Sequence, residues 1–260
     1  MPAATQPRRR PRHRLYHDLA DLWPLISPVS DYEAEARHLT RLVRRELGGT
    51  RPRRGQRWRV LELGSGGGHV AHFLAHDFDL TATDLSPRML TQCRRLNPHV
   101  PAVVGDMRRL RLHDQLASFD AVLIHDALDY MVSDRDIAAA LRTAHAHLRP
   151  GGILVLAPTY TRETFIDHDH EADQHSDGRT TVTYLSTVHD RDPDDGRYES
   201  HLVFVVARDG RVRVIPDRHV CGLRSTSQWL QHLADAGFDA RRHNDPATHR
   251  PHILLVGRRC

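Results

Sequence analysis

A short glycine-rich stretch after an apolar run constrains the fold of this chain more than any other feature of the sequence. Residues 60–70 read VLELGSGGGHV, in which four residues typical of a buried strand lead into five residues that include four glycines. A helical pattern begins at His69. Glycine adopts the left-handed backbone angles that a tight turn needs, and it lets a ligand approach the bare backbone. Strand, glycine turn and helix in this order build a nucleotide site at the carboxyl edge of an open α/β sheet.

The pattern downstream of this turn alternates between strands and helices. Strands are predicted up to residue 157, at 60–63, 80–83, 102–104, 119–124 and 153–157. Ser86 and Pro87 begin a helix, and another is predicted from about Asp134 to Leu148. Strands that alternate with helices are joined by right-handed crossovers and form a parallel sheet. We therefore expect an α/β fold with a doubly wound, mostly parallel, Rossmann-like sheet.

After the fifth strand the alternation stops and an antiparallel pattern takes its place. The strand-like runs TTVTYLSTV, YESHLVFVVA and RVRVIPDRHV lie between residues 179 and 221, with turn sequences between them. Ser225 then begins a helix that Gly237 ends, and a last strand is predicted over 252–256. The antiparallel block is thus an insertion between the fifth strand and the last helix of the core.

The spacing of the glycines leaves two kinds of nucleotide site open. Counted from Gly64, a dinucleotide fingerprint would need a glycine where His69 stands, but the pattern Gly-x-Gly-x-x-Ala from Gly66 is one that such a site tolerates. Glu62 discriminates between them, because Glu-x-Gly-x-Gly-x-Gly resembles motif I of the class I S-adenosylmethionine (SAM) methyltransferases. SAM has no pyrophosphate but carries an ammonium group, which an acid near the strand end can help to hold.

Two further acids stand at strand ends. Asp84 ends the second strand, 20 residues after Gly64, where a carboxylate can accept both ribose hydroxyls or, alternatively, cap the next turn. Asp106 follows the third strand, where an acid can accept from the adenine amino group. The resemblance then implies a SAM site built from these residues: Tyr16, Tyr32, Glu62, Gly64, Ser65, Gly66, Gly68, Asp84, Leu85, Met89, Asp106, Met107 and His125.

The outline of the chain from about residue 15 to residue 258 resembles the N-methyltransferases of nucleotide-linked amino sugars in macrolide pathways. The shared features are Tyr16, the helix start Asp31-Tyr32-x-x-Glu35-Ala36, the Gly-Asp-Met turn, the antiparallel insertion with its DGRTTVTYLS strand, and a histidine before the final helix. The segment after the fourth strand departs from that family, since HDALDYM stands where a more apolar stretch ending in Gly-His is usual. The acceptor molecule therefore stays open.

We expect five segments in the chain. Residues 1–14 form a disordered basic arm, residues 15–57 an N-terminal helical lid and linker, and residues 58–158 the SAM-binding core. Residues 159–224 form the antiparallel insertion over the active site, and residues 225–260 supply the final helix and strand of the core. Two prolines divide the lid into two helices around a short loop. The second helix carries an apolar stripe at helical spacing: Tyr32, Ala36, Leu39, Val43 and Leu47. Those helices either cover the cofactor or simply cover the sheet.

Four side chains are candidates for catalysis on the acceptor: His125, Tyr130, Tyr16 and His219. His125 and Tyr130 follow the fourth strand, and a histidine with an ordinary pKa near neutrality could take a proton from an amine or hydroxyl nucleophile. Alternatively, His125 caps a turn and forms a wall beside the sulfonium. Tyr16 would close over the methyl donor or pack on the lid. His219, in the sequence PDRHV, would line the acceptor pocket or face water.

Composition argues against several other functions. No apolar run approaches membrane-spanning length, and the basic start lacks the apolar core of a signal peptide. The formal charge of +4 comes largely from the arginine-rich arm, and no aromatic-basic stacking motif accompanies it, so nucleic-acid binding is not expected. Three cysteines without metal-ligand spacing indicate a reducing cytoplasm.

The run DHDHEADQH, residues 167–175, has the composition of a set of metal ligands. Histidine makes up 21 of the 260 residues, however, so local clusters of histidine are expected in this chain in any case. We interpret the run as a solvated loop and predict that it binds no metal ion.

Together these patterns predict SAM-dependent methyl transfer to the nitrogen or oxygen of a small molecule, in bacterial specialised metabolism. Two alternatives stay open: an intramolecular cyclase or lyase that consumes SAM, and a SAM-binding protein without catalysis. The insertion could build a homodimer, but the sequence does not fix the oligomeric state.

Overall fold

A computed structural model describes residues 13–48, 56–113, 118–244 and 253–260. Its α-helices are Trp23–Ile26 (α1), Glu33–Leu47 (α2), His69–Leu74 (α3), Pro87–Leu96 (α4), Asp134–His147 (α5) and Thr226–Asp235 (α6). Its strands are Arg59–Leu63 (β1), Asp79–Asp84 (β2), Ala102–Val104 (β3), Phe119–His125 (β4), Leu148–Ala157 (β5), His170–Ser176 (β6), Thr180–His189 (β7), Arg197–Arg208 (β8), Arg211–Gly222 (β9), Phe238–Asn244 (β10) and Ile253–Arg259 (β11). Short 3-10 turns lie at Ala20–Leu22, Val29–Tyr32 and Leu128–Tyr130.

The central sheet of the described residues has seven strands in the spatial order β10-β11-β5-β4-β1-β2-β3. Strands β1 to β5 are parallel to one another, whereas β11 runs antiparallel to β5 and β10 antiparallel to β11. The strand order reverses its direction between β1 and β4, and ligands of such sheets bind at this switch point. The predicted fold class, a doubly wound, mostly parallel sheet, is confirmed.

Apolar residues cover both faces of this sheet, which explains why its strands read as nearly continuous apolar runs. Val60 packs into a core cluster with α2, α3 and α4, while Leu61 and Leu63 face a second cluster with α5 and α6. All three side chains are fully buried. Each contributes about 1.5–3 kcal/mol by leaving water. The glycine turn therefore starts from a strand end that is firmly fixed.

The lid, residues 15–47, follows the predicted pattern in its second half and departs from it in its first. The predicted apolar stripe of α2 is buried, at Ala36, Leu39, Val43 and Leu47. The predicted first helix is reduced to the turn Ala20–Leu22 and to α1. Pro28 follows α1 closely, and a proline restricts the residue before it to extended angles, so α1 ends after one turn.

The insertion forms a separate antiparallel sheet in the order β6-β7-β8-β9. Asp209 and Gly210 join β8 to β9 with φ angles of 52° and 71°, the positive values that a two-residue hairpin turn of this hand requires. Leu15, Leu19, Leu22 and Ile26 of the lid pack against apolar residues of this sheet, among them Phe204 and Ile215. The lid is therefore fixed to the insertion as well as to the core.

Two strands differ from the expectation. The run expected to be a solvated loop forms β6 from His170 onward, an exposed edge strand that pairs with β7. β10, which the sequence does not predict, lies at the outer edge of the central sheet with the sequence FDARRHN. Neither strand alternates between apolar and polar residues, because edge strands can be held by backbone pairing without burying one face.

The predicted disordered arm lies mostly outside the described residues. His13 and Arg14, which we assigned to it, are described, and the His13 ring packs against the His219 ring at 4.1 Å. Among the helices of the described segments, none is long and apolar enough to cross a membrane. The cysteines are free thiols, buried at Cys93 and Cys221 and exposed at Cys260.

Candidate active site

A cavity of about 1100 Å³ opens at the carboxyl ends of the parallel strands. The lid and the insertion both contribute to its walls, for example through Trp23 and Tyr198. Most of the predicted site residues line it: Tyr16, Tyr32, Glu62, Gly64, Ser65, Gly66, Asp84, Leu85, Met89, Asp106, Met107, His125 and Tyr130. Gly68 and His219 do not line the cavity. Gly68 packs against Cys93 and Asn97 at the start of α3, and His219 contacts the Tyr130 hydroxyl.

The glycine turn packs closely against its neighbours. Gly64 and Ser65 both donate their N–H groups to the Thr83 carbonyl, at 2.8 and 2.9 Å, which fastens the turn to the end of β2. Gly64 has a φ of +83°, and a Cβ at this position would lie 2.4 Å from the Cβ of Ala127. Any larger residue would therefore displace the turn.

Asp84, at the end of β2, organises the backbone around it. Its Oδ2 accepts the Gly66 N–H at 2.9 Å and its Oδ1 accepts the Ser86 N–H at 2.7 Å, so the capping role left open by the sequence is present. Burial raises the pKa of Asp84, although these N–H donors oppose the shift. The carboxylate also lines the cavity. Since its oxygens keep further lone pairs, capping does not prevent it from accepting from a ribose.

Glu62 is a buried carboxylate with an unsatisfied oxygen. Its side chain lines the cavity, and its Oε2 has no hydrogen-bond partner among the described residues. Burial raises the pKa of Glu62 to about 7, although the nearby His125 opposes the shift. A buried acceptor without a donor costs free energy. An ammonium group in the cavity would supply both a donor and a compensating charge.

His125 ends β4 within a ring of carboxylates. Its Nε2 lies 2.8 Å from Glu35 Oε1 of α2 and 3.6 Å from Asp126 Oδ2. Burial by itself disfavours the charged ring, but Asp126, Glu35 and Glu62 together raise the pKa of His125 to about 10. The ring is then a cation at neutral pH. A ring that already carries its proton cannot accept another, which argues against the role of proton acceptor that the sequence suggested for His125. Its ion pair with Glu35 holds the lid against β4.

Leu85 and Asp106, two residues of the predicted SAM site, lie just after the ends of β2 and β3. Leu85 is 65% exposed yet lines the cavity, so it offers an open apolar surface there. Asp106 is engaged by Arg108, whose Nε lies 2.9 Å from Oδ1 and whose terminal nitrogen lies 2.6 Å from Oδ2. This guanidinium holds the pKa of Asp106 below its usual value. An adenine amino group would have to share these oxygens with Arg108.

Tyr16, Tyr130 and His219 come together although they lie far apart in the sequence. The two tyrosine hydroxyls share a hydrogen bond of 2.8 Å, and the Tyr130 hydroxyl lies 2.9 Å from His219 Nδ1. Asp217 Oδ2 lies 2.9 Å from His219 Nε2 and accepts the Leu15 N–H at 2.8 Å. Burial is the main reason that the pKa of both tyrosines is raised, so both are neutral phenols. This chain of polar groups joins the lid, the end of β4 and β9.

Sequence reasoning missed several members of the site: His13, Trp23, Glu35, His69, Asp129 and Asp217. Trp23 Nε1 donates to His69 Nδ1 at 3.0 Å, and burial lowers the pKa of His69 to about 4, so that ring is neutral. Asp217 could have been predicted from the sequence. It lies two residues before the candidate His219 on one strand, so both side chains face the same side of the sheet.

Two groups within the described residues have the geometry to hold a metal ion: His13 with Asp217 and His219, and Asp167 with His168 and His189. Both ring nitrogens of His219 already have protein partners. The second group lies at the surface beside β6. The absence of a metal ion from the run 167–175 stays a prediction.

Comparisons with known proteins find methyltransferases. Residues 60–152 match a family model described as a methyltransferase domain. A dTDP-3-amino-3,4,6-trideoxy-alpha-D-glucopyranose N,N-dimethyltransferase from Streptomyces venezuelae is 31% identical over 226 residues, which cover 85% of this chain and 90% of that relative.

Solved structures are similar over nearly the whole chain. The sugar N-methyltransferase KedS8 from a Streptoalloteichus species has a TM-score of 0.78 at 27% identity, covering 100% of this chain and 98% of KedS8. A second structure is that of SAM-bound CalS10, an amino pentose methyltransferase from Micromonospora echinaspora involved in calicheamicin biosynthesis. It has a TM-score of 0.72 at 25% identity, covering 88% of this chain and 92% of CalS10. The likeness therefore extends over the lid, the core and the insertion.

Proposed function

The chain belongs to the class I SAM-dependent methyltransferases, and we propose that it methylates the amino group of a nucleotide-linked amino sugar. It is a SAM-dependent enzyme that transfers a methyl group to a small molecule. The amino-sugar acceptor is supported by the dTDP-amino-sugar relative from Streptomyces venezuelae and by KedS8. CalS10 and its part in calicheamicin biosynthesis support a place in bacterial specialised metabolism.

The observation that carries this proposal is one cavity that extends from the glycine turn to the insertion. We call its part at the glycine turn and the ends of β2 and β3 the cofactor compartment, and its part between Tyr130 and the insertion the acceptor compartment. The volume of about 1100 Å³ is above the range of about 300–1,000 Å³ typical of a site for one drug-sized ligand. An acceptor therefore has room beside SAM. A cyclase or lyase acting on SAM alone would not need the acceptor compartment.

The residues of the cofactor compartment fit SAM. The unsatisfied Oε2 of Glu62 suits the ammonium group, and the cation of His125 suits the carboxylate of the same methionine part. Asp84 suits the ribose hydroxyls, while Leu85 offers an apolar surface to the adenine. When bound, SAM supplies a methyl group on a sulfonium, which the lone pair of an amine can displace.

The protein itself contributes positioning and the exclusion of water, which such a displacement needs more than a strong base. Tyr16 and Tyr130 present neutral hydroxyls at the border of the two compartments, where they can orient the acceptor. Ser86 Oγ donates to the Tyr16 carbonyl and so fixes the lid at the start of α4. The position of the lid and the position of Tyr16 are therefore linked.

The acceptor class can be tested with SAM and dTDP-3-amino-3,4,6-trideoxyglucose, the sugar in the name of the Streptomyces venezuelae relative. We expect mass spectrometry to show methyl groups added to the sugar nitrogen. The same sugar nucleotide with a hydroxyl in place of the amino group should not be methylated. Methylation of hydroxyl acceptors, with none of the amino sugars modified, would overturn the proposal.

Tyr130 offers a test of positioning in the acceptor compartment. Tyr130→Phe removes the hydroxyl between Tyr16 and His219. Turnover should fall at least about tenfold while SAM affinity stays unchanged, because the lost bonds lie on the acceptor side. Tyr184→Phe is the control, since Tyr184 does not line the cavity and its hydroxyl bonds Glu171, an exposed residue of the cavity lining. Equal turnover in both variants would remove the Tyr130 hydroxyl from the mechanism.

We also propose that the enzyme works in the cytoplasm, which its free thiols support because such thiols persist in a reducing compartment. A homodimer built through the insertion is a further part of this proposal. Light scattering on the purified chain would test it, with a monomer mass as the contrary result.

A further inference from the structure

The acceptor compartment contains a buried carboxylate that the cofactor does not explain. Asp129 lies in the 3-10 turn after β4, is 1% exposed and lines the cavity. Its Oδ2 accepts from both Thr159 N–H and Thr159 Oγ1, at 2.8 and 2.9 Å. Its Oδ1 is buried and has no hydrogen-bond partner among the described residues. An unsatisfied carboxylate oxygen in this position is costly unless a ligand donates to it.

Three tyrosines line the same cavity as this carboxylate. They are Tyr130, Tyr160 and Tyr198, and the rings of Tyr160 and Tyr198 lie 5.5 Å apart, edge to face, while burial and the charge of Asp129 raise the pKa of Tyr198. Phe165 supports them from behind, with its ring 5.3 Å from that of Tyr198. Aromatic faces attract cations through their quadrupoles, and cages of such rings recognise substituted ammonium groups. A carboxylate within such walls favours a cationic ligand.

Thr159 connects Asp129 to the cofactor side of the cavity. Its Oγ1 donates to Asp129 and also lies 3.2 Å from Oδ1 of Asp126, the neighbour of His125. Burial raises the pKa of Asp129 to about 7, with the Thr159 N–H opposing and Asp126 adding to the shift. A carboxyl group with this pKa exchanges a proton readily at neutral pH.

We propose that Asp129 Oδ1 binds the protonated amine of the acceptor and takes one proton from it. An N–H bond of the ammonium group breaks, an O–H bond forms on Oδ1, and the electron pair stays on nitrogen as the lone pair that methyl transfer requires. The proton returns to solvent when the product leaves. This assignment rests on the proposed function. It gives Asp129 the role of proton acceptor in place of His125, which is already a cation.

The test measures binding as well as turnover. Wild-type protein saturated with S-adenosylhomocysteine is titrated by calorimetry with dTDP-3-amino-3,4,6-trideoxyglucose and with its hydroxyl analogue. We expect the amine to bind at least about tenfold more tightly, since hydrogen bonds to charged groups are the strong ones. Asp129→Asn should abolish that preference and lower turnover. Its amide oxygen can still accept from Thr159, so the local fold is kept.

Two sets of controls separate charge recognition from a loss of structure. Asp77→Asn removes the same charge from a surface ion pair with Arg44 and should keep both the preference and the turnover. Tyr198→Phe keeps the aromatic face and should keep the preference for the amine, whereas Tyr198→Leu should reduce it several-fold. The wild-type comparison of amine with hydroxyl keeps the inference testable even where Asp129→Asn does not fold, and the tyrosine pair tests the aromatic wall separately.

The outcomes distinguish this inference from the proposed function. A wild-type protein that binds amine and hydroxyl equally, or an Asp129→Asn variant that keeps the preference, would overturn the inference. Equal preference in Tyr198→Phe and Tyr198→Leu would contradict only the contribution of the aromatic wall to amine recognition. A wild-type protein that prefers the amine, loses the preference in Asp129→Asn and yet methylates no amino sugar would contradict the proposed function alone.

Discussion

At the scale of single residues, Asp84 is the most direct test of the cofactor compartment. Asp84→Ala removes a carboxylate that orders the glycine turn and faces the cavity. SAM affinity should fall at least about tenfold, because each hydroxyl bond to a charged acceptor is worth about 1.5–3 kcal/mol. Asp79→Ala, at the exposed start of the same strand, should leave affinity unchanged. Calorimetry that finds equal affinity for both variants would remove Asp84 from the ribose site.

Glu62 gives SAM binding a pH dependence with a defined sign. Its pKa of about 7 in the free protein should fall when an ammonium group binds beside it, so binding below that pH releases a proton. SAM affinity is then full above pH 7 and weakens as the pH falls, by up to about tenfold per unit. His125, with a pKa of about 10, stays protonated throughout this range.

Calorimetry at several pH values below 7 measures this effect, and Glu62→Gln is the control. The variant should bind SAM more weakly and with a flatter pH profile. Wild-type affinity that does not change as the pH falls below 7 would show that Glu62 does not meet the ammonium group.

The residues of the cofactor compartment could be predicted because motifs at strand ends meet at one edge of a parallel sheet. Glu62, Asp84 and Asp106 all line the cavity as expected. The ion pair between Glu35 and His125 could not be predicted, since it depends on how α2 packs over β4. The charge of His125 therefore depends on tertiary structure through Glu35, in addition to its sequence neighbour Asp126.

At the scale of elements, the first half of the lid owes its position to apolar contacts with the insertion. Leu19→Ala removes one of these buried contacts and should lower the free energy of unfolding by about 2–5 kcal/mol.

Deletion of residues 1–12 should change neither the melting temperature nor SAM affinity, because that sequence has no apolar pattern to bury.

Thermal unfolding of Leu19→Ala and of the protein without residues 1–12 measures both changes in stability. Val212→Ala, at a position 67% exposed on β9, is a control that should stay within about 0.5 kcal/mol of the wild type. A large drop in melting temperature on deletion of 1–12 would show that this segment docks on the protein.

Elements with strong periodic patterns were predictable, and elements held by backbone pairing were not. α2 follows from its apolar stripe, and β1 to β5 from apolar runs next to turn residues. β6 and β10 carry mostly polar residues, because each lies at the edge of a sheet and buries little.

At the scale of the whole molecule, the site exists only when lid, core and insertion are assembled. The polar chain through Tyr16, Tyr130 and His219 takes one member from each of these parts. Each residue was a candidate from the sequence, yet their contact depends on the packing of the insertion over β4. The insertion also supplies Tyr198 to the acceptor compartment, which connects the fold of this region to the choice of acceptor.

The fate of SAM tests the central claim most directly. The protein is incubated with SAM alone and with SAM plus the amino-sugar nucleotide, and the nucleoside product is identified by mass spectrometry. Methyl transfer gives S-adenosylhomocysteine, and we predict that it forms only when the acceptor is present. Ring closure or elimination within SAM would give methylthioadenosine. Methylthioadenosine made at a catalytic rate without any acceptor would contradict methyl transfer and leave only SAM binding in place.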